Sequence, residues 1–124
     1  MAPPSTDWVY DRTDTERAIV RDLAPGMQAH VFPGTNSMLS FVTAAPHSEG
    51  GIHRHPEEQW GVLLEGECIR IQDGREIPMT AGNFWHTPGD TEHGIRTEET
   101  GAVILDVFSP PRPEYQHSGE GFSN

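Results

Sequence analysis

From residue 27 onward the apolar positions come in short runs, each cut by a Gly or Pro turn. Residues 27–32 and 38–45 are apolar enough for strands, with Pro33-Gly34 as the turn between them and a loop over 46–51. An apolar run over 59–64 is punctuated by Gly66. The segment 67–72 then alternates, placing Glu67, Ile69 and Ile71 on one face and Cys68 and Arg70 on the other. Asp73-Gly74 is a two-residue hairpin signal, with residues 75–79 returning. After a turn at Ala81-Gly82, runs over 83–87, 93–97 and 102–108 complete the set. Strands spaced by roughly ten residues and separated by such turns predict a β-sandwich or barrel.

The two ends break this pattern. Residues 1–7, with Pro3 and Pro4, read as a loose arm, and Trp8-Val9-Tyr10 as a short strand able to dock or swap. Residues 14–23 hold the one helix-like stretch, a turn or two long, with Thr13 or Asp14 as N-cap and Pro25-Gly26 as its end. Residues 114–124 are polar, contain Gly119 and Gly121, and read as a mobile tail. The expected organisation is an arm with a short helix over 1–24, a barrel over 25–112 and a polar tail over 113–124.

Composition narrows the function classes. A chain of 124 residues is one domain, and its 13 Gly and 11 Pro suit many short elements rather than a helical bundle. Nineteen acidic against eight basic residues give a net charge of −11. That sign argues against nucleic acid and against an anionic membrane surface as partners. An anionic substrate would need a local positive site working against this field. No apolar run approaches the ~20 residues of a membrane span. The polar, Pro-containing start does not read as a signal peptide. The single Cys68 excludes an intrachain disulfide framework, so a reducing cytoplasm is the simplest compartment.

Two segments carry candidate chemistry. In the first, Gly51 to Gly66, His53 and His55 stand at i and i+2, and on extended chain their imidazoles share a face. Gln59 follows where the chain turns into the next strand, and its amide oxygen can serve as a third donor. In the second, Gly82 to His93, a Pro88 turn delivers His93 to the start of a strand. Three imidazoles and one oxygen around an ion leave open positions, the plan of a catalytic rather than a structural metal site.

These residues resemble the motifs of the cupins, a superfamily of small double-stranded β-helices. The first cupin motif runs Gly, His-x-His, three or four residues, Glu, six residues, Gly; His53, His55 and Gly66 match, with Gln59 at the Glu position. The second runs Gly, five residues, Pro-x-Gly-x-x-His, three residues, Asn; Gly82, Pro88 and His93 match, with Asp90 for Gly and Thr97 for Asn. Asp adopts the left-handed conformation more readily than most residues, so the turn can survive the first change. Glu58 is the other candidate ligand, but it breaks both spacings and Gln59 satisfies both. The resemblance implies an all-β, single-domain, jelly-roll-like barrel holding one divalent transition metal (Zn, Ni, Fe, Mn or Co) on His53, His55, Gln59 and His93. A neutral Gln leaves the metal a stronger Lewis acid than a Glu would, favouring polarisation of an oxygen ligand over redox cycling.

A third feature, Asp106-Val-Phe108-Ser-Pro-Pro-Arg112, resembles the tail of the single-domain cupins that open the ring of unsaturated uronic acids in pectin and alginate breakdown. Similar tails occur in other small cupins, near polyketide cyclases and dioxygenases. The resemblance implies Asp106 as acid or base, Phe108 against the substrate ring, and Arg112 as a bidentate holder of a substrate carboxylate. The expected function is metal-dependent ring opening, isomerisation or cyclisation of an oxygen-rich small molecule, a uronate being nearest by motif. The alternatives are an Fe(II)-dependent cupin dioxygenase and a non-catalytic cupin that binds a small ligand. A homodimer is the family expectation.

The remaining candidates have plainer readings. His86 and His30 either face a ligand or lie on the barrel surface, while His47 and His117 read as solvated. Trp60, Trp85, Phe41 and Phe84 read as core or interface, Met38 and Met79 as core filler, and Cys68 as a packed thiol. Arg54 is expected outside the pocket, and Glu57, Glu58, Glu98 and Glu99 in solvent.

Overall fold

The computed structural model describes residues 7–122, so nearly all of the expected arm lies outside the described residues. Within them the chain forms ten strands and no α-helix: β1 (Ile19–Ala24), β2 (Met27–Pro33), β3 (Met38–Ala44), β4 (Glu49–His53), β5 (Glu58–Gln72), β6 (Arg75–Thr80), β7 (Phe84–Thr87), β8 (His93–Arg96), β9 (Ala102–Ser109) and β10 (Gly119–Glu120). The hydrogen-bonded order is β10-β1-β2-β3-β9-β5-β8-β4, with β6 and β7 also on β5.

The long β5 joins the two halves of the barrel. Its first part pairs with β7 and β9, its second with β6 and β8. The change of partners falls around Gly66, whose φ of +82° is left-handed. A Cβ there would lie 1.9 Å from the Gly101 carbonyl oxygen, so only glycine allows β5 to bend this close to β9. Alternation does the rest. Met27, Ala29 and Val31 of β2, Met38, Val42 and Ala44 of β3, and Ala102 and Ile104 of β9 point inward and form the core. The Asp73-Gly74 hairpin joins β5 to β6 with both residues at positive φ, and Asp90 takes the left-handed conformation expected of it.

Four expectations are corrected. Of the helix-like stretch 14–23 only a single hydrogen-bonded turn forms, within the turn or two expected: Asp14 Oδ1 accepts from the Glu16 and Arg17 amides (2.9 and 3.3 Å), and Ala18 N–H donates to the Asp14 carbonyl (3.1 Å). From Ile19 the chain is strand, because β-branched Ile19 and Val20 pair with β2 and the sheet edge outweighs a weak helical preference. Trp8-Val9-Tyr10 is irregular and exposed rather than a strand. Residues 49–53, expected partly as loop, form β4 against β8.

The fourth correction concerns the C-terminal stretch, which is docked rather than mobile up to residue 122. A 3-10 turn at Pro113–Gln116 buries Tyr115, and β10 runs parallel to β1. Fully buried Arg21 holds it: Nε donates to the Gly121 carbonyl (2.8 Å), Nη2 to Glu120 (2.8 Å) and Nη1 to Glu114 (3.0 Å) and His117 (3.4 Å). Polarity suggests solvent; satisfaction of backbone carbonyls by one buried cation decides otherwise.

Candidate metal centre

The strands bring both motifs to one point. His53 ends β4 and pairs across the sheet with His93, which opens β8. His55 follows two residues on, and Gln59 enters from β5 opposite Phe108. The ring centroids of His53 and His93 are 4.5 Å apart, those of His55 and His93 4.9 Å, and those of His53 and His55 5.9 Å. One potential ligand nitrogen from each lies within 4.8 Å of the others.

The hydrogen bonds settle the tautomers of His53 and His93. Nδ1 of His53 faces the Gly51 carbonyl (2.8 Å), Nδ1 of His55 that of Glu57 (3.1 Å), and Nδ1 of His93 that of Thr91 (2.8 Å). A carbonyl only accepts, so Nδ1 of His53 and of His93 carries the proton and these neutral rings present a bare Nε2 lone pair, whereas His55 faces an acceptor at 3.1 Å on each side and can donate to only one of them. His93 Nε2 is buried with no hydrogen-bond partner. Gln59 Nε2 donates to Asp106 Oδ1 (2.9 Å), which turns Oε1 toward His55 Nε2 at 3.1 Å. With the His55 proton on Nδ1, two acceptors face each other there, a contact that a cation between them would turn favourable. The donor set therefore fits a divalent transition metal ion, with the backbone carbonyls orienting the imidazoles.

The other expected site residues are gathered around these ligands. Asp106 lies on the inward face of β9, two residues from buried Phe108, whose ring is 5.5 Å from that of His55. Arg112 is buried but engaged. Its Nη2 donates to the Phe122 carbonyl (2.5 Å), its Nε faces Glu57 (3.7 Å) and Glu114 (3.9 Å), and its guanidinium lies 4.3 Å from the Tyr115 ring centre. Glu57, expected in solvent, is buried as the partner of Arg112 and His55. Glu58 points outward to His86 (2.6 Å), so neither is part of the ligand cluster. His30 binds the Arg12 carbonyl (2.8 Å), and Arg54 is exposed near Glu92.

Two contributors carry no signal in the motifs. Arg70 is buried and lines the same cavity as His53, Gln59, His93 and Asp106. Its alternation with Cys68 is readable in the sequence, but not which face of β5 turns inward. Phe122 packs on the His53 ring at 4.5 Å and also lines the cavity, which holds about 30 Å³, room for about two waters. A ligand of more than a few atoms therefore requires the C-terminal segment to shift.

Burial disfavours the charged imidazoles, with positive potential from the arginines adding to it. His55 is lowered to about 4 by burial and then by Arg112; His93 to about 3 by burial and then by Arg70; His53 is lowered by burial and then by Arg112 and Arg70 against the Gly51 hydrogen bond. The rings are thus uncharged and ready to ligate at neutral pH. An unfolded chain takes up these protons near 6.5, whereas the fold resists them until about 4 and 3. The unfolded state binds more protons across that window, so stability is full above it and falls as pH drops through it. Asp106, raised by burial against the pull of Arg70, contributes in the opposite sense. We expect the urea midpoint of metal-stripped protein to decline steadily from pH 7 to pH 4; a flat profile would contradict the burial of these rings.

The model of the cupin domain family matches residues 40–108, and the chain belongs to that family. Among curated proteins it resembles the H2HPP isomerase of Bacillus subtilis, 29% identical over 96 residues, covering 74% of this chain but only 40% of that protein. Among solved structures, an RmlC-like cupin from Shewanella frigidimarina superposes with a TM-score of 0.74 at 25% identity, covering 86% of this chain and 96% of that one. KdgF from a Halomonas species superposes at 0.72 with 22% identity, covering 85% and 97%, a likeness of fold. No helix among the described residues is long and apolar enough to cross a membrane.

Proposed function

We propose that this cupin is a metal-dependent enzyme that opens, isomerises or cyclises an oxygen-rich small molecule, a uronate being the nearest case by motif. The observation that carries the reading is the gathering of one ring nitrogen each of His53, His55 and His93 within 4.8 Å of one another, with Gln59 Oε1 3.1 Å from His55 Nε2. His53, His55, Gln59 and His93 would hold the ion, which supplies a Lewis acid toward a carbonyl or hydroxyl oxygen. Asp106 is the proton carrier: burial raises its carboxyl, and the Gln59 amide fixes one of its oxygens at the cavity. Phe108 forms the apolar wall, and Arg112 closes the site beside it.

Turnover of an unsaturated uronate by metal-loaded protein, measured in air and under argon, tests this. The expected rates are equal in the two atmospheres, and Asp106→Asn lowers kcat by about 10²- to 10⁴-fold when compared with wild type at matched metal loading. Activity only in air would assign the site to an Fe(II) oxygenase instead.

A further inference from the structure

We propose that Arg70 is the anion-recognition residue of this cavity, and that the ligand accepted beside the metal centre presents its carboxylate to Arg70 rather than to Arg112. The proposal rests on the metal-centre reading for what adjoins the anion, and on separate observations for the anion itself.

Every basic residue in the chain is an arginine, and three of the eight, Arg21, Arg70 and Arg112, are buried. Arg21 is saturated by carbonyls of the C-terminal segment. Arg112 is matched by Glu57, Glu114 and the Phe122 carbonyl. Arg70 differs. Its Nη2 donates to Thr87 Oγ1 (2.8 Å), its Nε to Gln72 Oε1 (3.3 Å), and its guanidinium lies 5.4 Å from the Trp85 ring centre. All three partners are neutral, and among the described residues no carboxylate oxygen lies within the 4.0 Å of an ion pair.

A buried charge without a close counter-ion is costly, so an incoming anion relieves more at Arg70 than at the ion-paired Arg112. Here the fold also builds the support. Gly61 pairs with Trp85 across the sheet, and a Cβ on Gly61 would lie 2.2 Å from the indole Nε1, so the glycine admits the ring that backs the guanidinium. Charge balance points the same way. Glu57 and Glu114 offset Arg112, whereas Asp106 alone offsets Arg70, from beyond ion-pair distance. Three neutral imidazoles and an amide add no negative charge, so a divalent ion among them leaves the cavity positive. The planar fork of Arg70 then suits a carboxylate. The closed cavity has room for an anion the size of formate; a larger carboxylate enters as Phe122 moves.

The test uses formate and its neutral analogue formamide, titrated into zinc-loaded and into metal-free protein, read by calorimetry and by the ¹⁵N–¹H signals of the arginine side chains. We expect formate to bind and to shift the Arg70 Nε–H signal, with formamide at least about tenfold weaker. Arg70→Met should weaken formate by about tenfold or more and Arg70→Lys by less, while Arg54→Lys, an exposed arginine outside the cavity, should leave it unchanged. Thermal unfolding confirms that each variant is folded. Zinc content, measured alongside, separates failure of the metal centre from failure of the anion site. The proposal is overturned if wild-type protein binds no formate in either form, if folded Arg70→Met binds it as tightly as wild type, or if Arg112→Lys alone abolishes binding.

Discussion

Replacing His93 by alanine should lower the affinity for a divalent metal ion by about 100-fold or more. Loss of a residue that merely orients a ligand already costs about 10- to 100-fold, and His93 offers its bare Nε2 directly to the centre. The same atom is buried without a hydrogen-bond partner. Removing it therefore takes away no hydrogen bond at the metal face and gives up only the Thr91 contact on the other side of the ring. The metal-free variant should stay folded, with near-ultraviolet dichroism like wild type, while elemental analysis and chelator competition show the loss. His86→Ala is the matched control: that ring pairs with Glu58 and stacks on Trp60 outside the cluster, so metal content should not change. Wild-type metal content in folded His93→Ala would remove His93 from the ligand set.

His93 also shows how far residue spacing alone reaches. Its place follows from the motif count, because a strand opening after a Pro turn can be delivered to only a few points of a small barrel. The choice of Gln59 over Glu58 follows from counting residues between fixed points, and the outward ion pair of Glu58 with His86 supplies the physical reason. Asp106 and Phe108 come from the resemblance of the 106–112 tail, and period-two alternation on β9 adds that they share a face. Arg70 escapes such reasoning for a cause of the same kind. Both faces of 67–72 carry apolar residues, so alternation groups Arg70 with Cys68 without saying that Cys68, buried and raised to about 11 by burial, faces the core. The arginines Arg21 and Arg112 are illegible because their partners are backbone carbonyls or residues distant in sequence. Arg21 is 100 positions from Gly121, and a carbonyl leaves no mark in the amino-acid code. The C-terminal segment therefore reads as solvent-exposed chain although it closes the site.

That closure yields the other large expected effect. Arg21→Met should destabilise the protein by about 3 kcal/mol, the scale of losing charge-assisted hydrogen bonds from a buried cation whose released carbonyls regain water when the segment peels away. For a chain of this size the melting temperature should fall by about 10 °C. The loss should be local before it is global. With the guanidinium gone, the segment keeps the two-residue pairing of β10 with β1, the amide bond from Gly121 to the Asp22 carbonyl (2.8 Å) and, beyond β10, the Arg112 bond to the Phe122 carbonyl. Hydrogen exchange at residues 119–121 should accelerate far more than in β2 or β3, whose ladders do not involve Arg21. Because Phe122 covers His53, the same variant should take up and release metal faster at nearly unchanged affinity, since no ligand atom is altered. Slow exchange at residues 119–121 together with wild-type metal release rates would place the latch elsewhere, on Arg112 and the Phe122 carbonyl it binds at 2.5 Å.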